Sequence, residues 1–160
     1  MSHEGKVISI YIAPKGGETM VEVDSVRAVV GEGLEGDRYA NRVGTFSDTP
    51  GTGREVTLIE AEAIESLARE CDVDIHPVES RRNIVTRGLA LNHLVGREFR
   101  VGGATLMGLR LCEPCNHLEA LTRPGVRRGL VHRGGLRASI IDSGLIRTGD
   151  TASVIPSAQP

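Results

Sequence analysis

Residues 97–111 read REFRVGGATLMGLRL. Two apolar runs, REFRV (97–101) and ATLMGLRL (104–111), are separated by Gly102-Gly103, a pair that tolerates the positive backbone angles of a tight hairpin turn. The same texture recurs on both sides. KVISIYIA (6–13) alternates and is rich in branched residues, and MVEVDSVRAVV (20–30) alternates in part. PKGGE makes a turn between them, so a hairpin is expected there. REVTLIE (54–60), NIVTR (83–87), LRASIIDSG (136–144) and GDTASVI (149–155) read as further short strands. Seven or eight short strands with one good helix predict a mainly β fold, a barrel with a few short helices.

The helix is AEAIESLAREC (61–71). Ile64, Leu67, Ala68 and Cys71 share one face, with Glu62, Glu65 and Arg69 outside, so Cys71 is expected in the core. Shorter helical turns are read in CNHLEALT, stopped by Pro124-Gly125, and in VRRGLVHR. GEGLEGDRYANRVG (31–44) is too glycine-rich and polar for a regular element, and GTFSDTPGTG (44–53) continues it as a loop. No repeat or linker divides the chain, which reads as one domain over residues 1–160.

At 160 residues the chain can bury a real core, and with two Tyr, two Phe and no Trp that core must be aliphatic. A net charge of −2 does not suggest a nucleic-acid or membrane-surface partner. The charges are nevertheless unevenly placed. Between Glu55 and Glu79 there are eight acids against one base, Arg69; between Arg110 and Arg137 there are six arginines against two acids. Of the 19 bases, 17 are Arg and only Lys6 and Lys15 are Lys. An arginine-favouring genome explains this, and so does an anion site, because guanidinium forks hold carboxylate and phosphate oxygens bidentately. Three cysteines do not make a disulfide framework, and no apolar run approaches 18 residues. A cytoplasmic protein with free thiols is expected.

Six separated motifs then run in order: GEGLEGDR at 31–38, REVTLI at 54–59 before an acidic helix, RRNIVTRG at 81–88, LVGREFRVG at 94–102, CEPC at 112–115 and GLRASIIDSGLIRTGD at 135–150. Together they resemble the MOSC domain, the module found at the C-terminus of molybdenum cofactor sulfurases. The resemblance spans roughly residues 20–155. It implies a compact β-barrel and a link to molybdenum cofactor or to sulfur handling. In that family a cysteine following a proline is the expected thiol, carrying sulfur or ligating molybdenum; Cys115, after Pro114, matches it and Cys112 does not. No PLP-dependent desulfurase domain, companion barrel or iron–sulfur domain is read in these residues. The expected partners are therefore a PLP-dependent cysteine desulfurase or a molybdoenzyme, as sulfur donor or acceptor. Covalent PLP is not expected, since Lys6 and Lys15 both lie outside the matched core.

Around LCEPCNHLEAL (111–121) several chemistries compete. Cys115 as a working thiol needs cationic surroundings, which Arg110, Arg123, Arg127 and Arg128 are expected to supply. Cys112 is a support, a resolving partner or a bystander. A zinc site would need His117 or His132 to complete it, and no second C-x-x-C or H-x-x-x-H exists. A thioredoxin-like dithiol would need a βαβ setting, whereas the preceding strands read as a hairpin.

GEGLEGDR has G-x-G-x-x-G spacing without a crossover helix after it; it is a turn cluster, or a loop in which Gly36, Asp37 and Arg38 face a ligand. Arg82 suits a phosphate and Asn83 the edge of a pterin. RPGVRRGLVHRGGLR (123–137) combines four glycines with five arginines, so main-chain N–H groups together with Arg128 and Arg133 are expected to hold an anion. His132 is expected to donate to an oxo group or shuttle a proton. The leading expectation is a molybdenum cofactor-binding or sulfur-carrier module. Two alternatives are a molybdenum-dependent reductase of N-hydroxylated compounds with an external electron donor, and a non-enzymatic zinc or scaffold module.

Overall fold

The structure, a computed structural model, describes residues 4–13, 19–37 and 55–156. Eleven strands are found there: β1 (Glu4–Ile12), β2 (Val21–Val23), β3 (Ser25–Val29), β4 (Gly33–Leu34), β5 (Val56–Glu60), β6 (Ile84–Arg87), β7 (Glu98–Val101), β8 (Ala104–Leu111), β9 (Leu136–Asp142), β10 (Gly144–Arg147) and β11 (Thr151–Val154). The α-helices are α1 (Ala61–Cys71), α2 (Asn116–Leu121) and α3 (Val126–Gly129), with short 3-10 turns at Pro77–Ser80 and Leu91–Leu94.

Seven strands close into a barrel in the order β1-β11-β7-β8-β9-β5-β6 and back to β1. A closed ring with an odd number of strands cannot alternate direction all the way round, so at least one pair must be parallel. That pair is β5–β6, with Leu58 opposite Ile84 and Glu60 opposite Thr86. Parallel neighbours need a crossover, and α1 supplies it, which is why the clearest helix in the sequence lies between those two strands. Elsewhere the ring is antiparallel, including the hairpin at Gly102-Gly103 and the β1–β11 seam.

The alternation along β5 shows how the protein is layered. Val56 and Leu58 join Val7, Ile84, Phe99, Leu106 and Leu136 in one core cluster, while Ile59 and Val85 join the side chains of the helices in another. The second cluster contains Ile64 and Leu67 of α1 with Leu118, Val126 and Leu130. The strands β5 and β6 are therefore covered on both faces, and β5 is buried from Val56 through Ile59.

The structure corrects several expectations. The strand read over 20–30 divides at Asp24, β2 pairing with β1 and β3 leaving for a separate sheet in the order β10-β3-β4. The strand read over 136–144 ends at Asp142, and β10 follows in that second sheet where none was expected. Glycine-rich 31–37 contains the two-residue strand β4. Cys71 is exposed rather than in the core. The helix limits agree with the sequence, but burial stops at Leu67 and the last turn, residues 68–71, is exposed throughout. Helical period identifies a face; it does not say where the covering surface ends.

Candidate functional site

Strands β8 and β9 are neighbours, with Leu111 opposite Leu136, yet residues 112–135 separate them in sequence. That excursion carries both cysteines of C-E-P-C, both short helices and the arginine–glycine run. Buried Leu118, Val126 and Leu130 fasten it onto α1 and the outer barrel face. Gly129 packs so closely that an added Cβ would lie 2.3 Å from Leu67 Cδ2.

The two thiols occupy unlike environments. Cys112 is 2 % exposed; its N–H donates to the Gly135 carbonyl at 2.7 Å and its carbonyl accepts from Arg82 at 3.1 Å. Cys115 is exposed, in extended conformation at the N-cap of α2, with no side-chain capping bond. Among the described residues no three His, Cys, Asp or Glu side chains come together to hold a metal ion.

Arg82 is buried beneath this loop. Its Nε donates to the Gly134 carbonyl at 2.7 Å, and its terminal nitrogens donate to the carbonyls of Ser80 at 3.2 Å and Cys112. The guanidinium thus ties the Cys112 end of the excursion to the Gly134 end. Gly134 is required for that approach, since a Cβ there would lie 2.4 Å from the Cys112 carbonyl oxygen.

Across the same junction, Glu113 reaches His132 twice. One carboxylate oxygen accepts from the His132 backbone N–H at 2.8 Å, and the other lies 3.0 Å from Nδ1. Asn92 donates to the His132 carbonyl at 2.7 Å. His132 holds a left-handed backbone, φ 64°, which is uncommon for a residue with a Cβ.

Other expected ligand contacts are enclosed. Asn83 is fully buried: Oδ1 accepts from the Thr57 N–H and hydroxyl, and Nδ2 donates to the Tyr11 carbonyl, stapling β1 and β5 at the start of β6. Asp37 is also fully buried, accepting from the Ala13 N–H at 2.9 Å. Gly36 has a positive φ and packs beside Ile12. Arg38 lies outside the described residues. Lys6 is an exposed residue of β1, and Lys15 is outside the described residues.

Much of the uneven charge is complementary within the fold. Arg133 pairs with Glu70 at 2.8 Å and Arg123 with Glu79 at 2.7 Å, each joining the basic excursion to the acidic segment. Hydrogen bonding to Arg133 holds the Glu70 carboxyl below its ordinary range, and the same contact raises the Arg133 guanidinium. The main-chain N–H groups of Gly125 and Arg127 are also engaged, both donating to Glu119. Of the four arginines expected near Cys115, Arg123 is committed to Glu79 and the Asp74 carbonyl. Arg127 and Arg128 are exposed on α3 and make no ion pair among the described residues. Sequence reasoning missed Glu113, whose position between the two cysteines was the available signal, and Asn92, which carried none.

A closed seven-stranded barrel with a cysteine-bearing excursion between adjacent strands defines the class of protein. The model of the MOSC domain matches residues 36–153, and the chain belongs to that family. Its fold is similar to that of the YuaD protein from Bacillus subtilis, at TM-score 0.75 and 17 % identity, covering 94 % of this chain and 95 % of that one. It is also similar to YiiM from Geobacillus stearothermophilus, at TM-score 0.72 and 13 % identity, over 95 % of this chain and 75 % of that one. YiiM from Escherichia coli gives TM-score 0.67 and 18 % identity over 98 % and 72 %. Comparison with curated protein sequences finds no match. No helix among the described residues is long and apolar enough to cross a membrane.

Proposed function

We propose that this chain is a MOSC module that carries sulfur, for delivery to molybdenum cofactor, on the thiol of Cys115. The observation that supports this reading is the asymmetry of the C-E-P-C pair: Cys115 is exposed and uncapped, while Cys112 is buried with its backbone polar groups engaged on both sides. A carrier thiol must be reached by a macromolecular donor, and exposure allows that. Loading conserves electrons: the Cys115 thiolate attacks the outer sulfur of a donor persulfide, the donor S–S bond breaks, and the donor leaves as a thiolate. Free thiols at all three cysteines suit a reducing, cytoplasmic setting. A PLP-dependent cysteine desulfurase is the class of enzyme that makes such a donor.

The donor set also bears on what this loop can hold. Zinc wants about four protein ligands, and among the described residues, which leave out the His117 side chain, no three donors converge. A single soft thiolate does suit molybdenum that arrives with most of its positions filled by a pterin. Cys115 would then be its protein ligand, with Arg127 and Arg128 on the next helix as cations for its phosphate. When bound, that cofactor would supply a redox-active oxo-metal centre. Arg82 and Asn83 enter this reading as residues that position backbone rather than touch a ligand.

The test compares Cys115→Ser with Cys112→Ser, each incubated with a cysteine desulfurase and cysteine, then assayed for sulfane sulfur, molybdenum and pterin. Wild type and Cys112→Ser are expected to take up roughly one sulfane sulfur per chain, and Cys115→Ser essentially none. Equal loading of Cys115→Ser would end the proposal. Cys115-dependent molybdenum and pterin without sulfane sulfur would move the thiol's role to metal ligation.

A further inference from the structure

An exposed residue has no obvious reason to be held in a strained conformation, yet His132 is. Its side chain is 79 % exposed, and its backbone has φ 64° although two glycines follow within three residues. Such conformations are costly and persist only when neighbours over-determine them. Three contacts do so at His132: Glu113 on its N–H, Glu113 on Nδ1 and Asn92 on its carbonyl. The Glu113 carboxylate only accepts hydrogen bonds, so the ring nitrogen it touches must carry the hydrogen. In the neutral ring the lone pair is then on Nε2, at the exposed end of the side chain.

The geometry points to Glu113 as a positioning residue that fixes His132 in the Nδ1-protonated tautomer and aims Nε2 outward as the proton acceptor of the Cys115 loop. The inference rests on the sulfur-carrier reading above and adds to it the group that handles the proton. Cys115 lies two residues beyond Glu113, so one short segment carries both the thiol and the carboxylate that orients the imidazole. The step balances. The Cys115 thiol proton passes to Nε2, and the resulting thiolate takes the outer sulfur of a donor persulfide. The departing donor thiolate then recovers the proton from the imidazolium. The charged groups at this junction include Glu113 itself, Arg82 beneath it and Arg133, which is paired with Glu70, with His93 beside Asn92 on the 3-10 turn.

Nitrogen NMR of histidine-labelled protein reads the tautomer directly, with no sulfur chemistry involved. Wild type is expected to show His132 protonated at Nδ1. Glu113→Gln offers one acceptor oxygen for two donors, so a tautomer mixture is expected, with persulfide loading of Cys115 slowed about tenfold or more. His132→Asn is expected to slow loading at least as much. Slower loading with an unchanged tautomer overturns the positioning role, and a changed tautomer with unchanged loading overturns the link to Cys115. If Glu113→Gln does not fold, the wild-type spectrum still decides, because a ring protonated at Nε2 overturns the proposal. Failure of the carrier reading is separate: Cys115→Ser would load normally while the tautomer result stood.

Discussion

Asn83 shows how far a residue's chemistry underdetermines its use. The donor and acceptor that suit a pterin edge equally suit a backbone, and the fold spends both on Thr57 and Tyr11 in the interior. Removing that amide leaves buried main-chain groups without partners, at roughly 1–3 kcal/mol each. Asn83→Ala is therefore expected to lower the unfolding free energy by about 3 kcal/mol in urea titration, with the Cys115 thiol still accessible to alkylation. Loss of less than about 1 kcal/mol would show that the amide is replaceable by water. Arg82 makes the same point with charge, since its fork meets carbonyls rather than phosphate.

At the scale of elements, α1 is both crossover and lid, and its first turn meets the end of β5. Glu60, at that junction, accepts from the Leu91 N–H at 3.1 Å in a half-buried position. Burial raises its pKa above the ordinary carboxylate value, with the Leu91 contact partly opposing the shift. The folded state thus holds the proton more tightly than the unfolded state. The resulting stability is fully present below the unfolded pKa and lost as pH rises through the folded one. Glu60→Gln keeps an acceptor for Leu91 and removes the buried charge. Its thermal midpoint is expected above wild type near about pH 7 and level with it near about pH 3.5. A deficit at neutral pH would show that the charge itself is needed. The Arg133–Glu70 and Arg123–Glu79 pairs join elements differently, as exposed contacts whose worth falls with added salt.

For the whole molecule, the governing constraint is closure. The N-terminal strand β1 pairs with β11 near the end of the described chain, with Glu4 opposite Ser153 and Lys6 opposite Thr151. No local segment can complete the barrel, so removal of β11 exposes edges of both β1 and β7. A chain ending at Gly149 is expected to lose cooperative unfolding and near-ultraviolet circular dichroism. Retention of a sharp transition would mean that the other six strands form a stable sheet without closure. The second sheet, β10-β3-β4, lies outside that ring.

Sequence alone determined the features that depend on near neighbours. The hairpin at Gly102-Gly103, the limits of α1, the short β texture and the motif order that marks a MOSC domain were all legible, because turn chemistry and apolar period are local. It did not determine that residues 20–30 serve two sheets, that Cys71 lies past the covered surface of α1, or that β5 and β6 run parallel. Those depend on which segments become neighbours after long loops close. The same holds for the site. Pro114-Cys115 could be singled out in the sequence, whereas the burial of Cys112, the Arg82 tie and the Glu113–His132 contact arise only in the fold. Residues 19 to 52 positions apart supply those contacts, and the pairing of β8 with β9, β9 with β5 and β5 with β6 brings them within hydrogen-bond range.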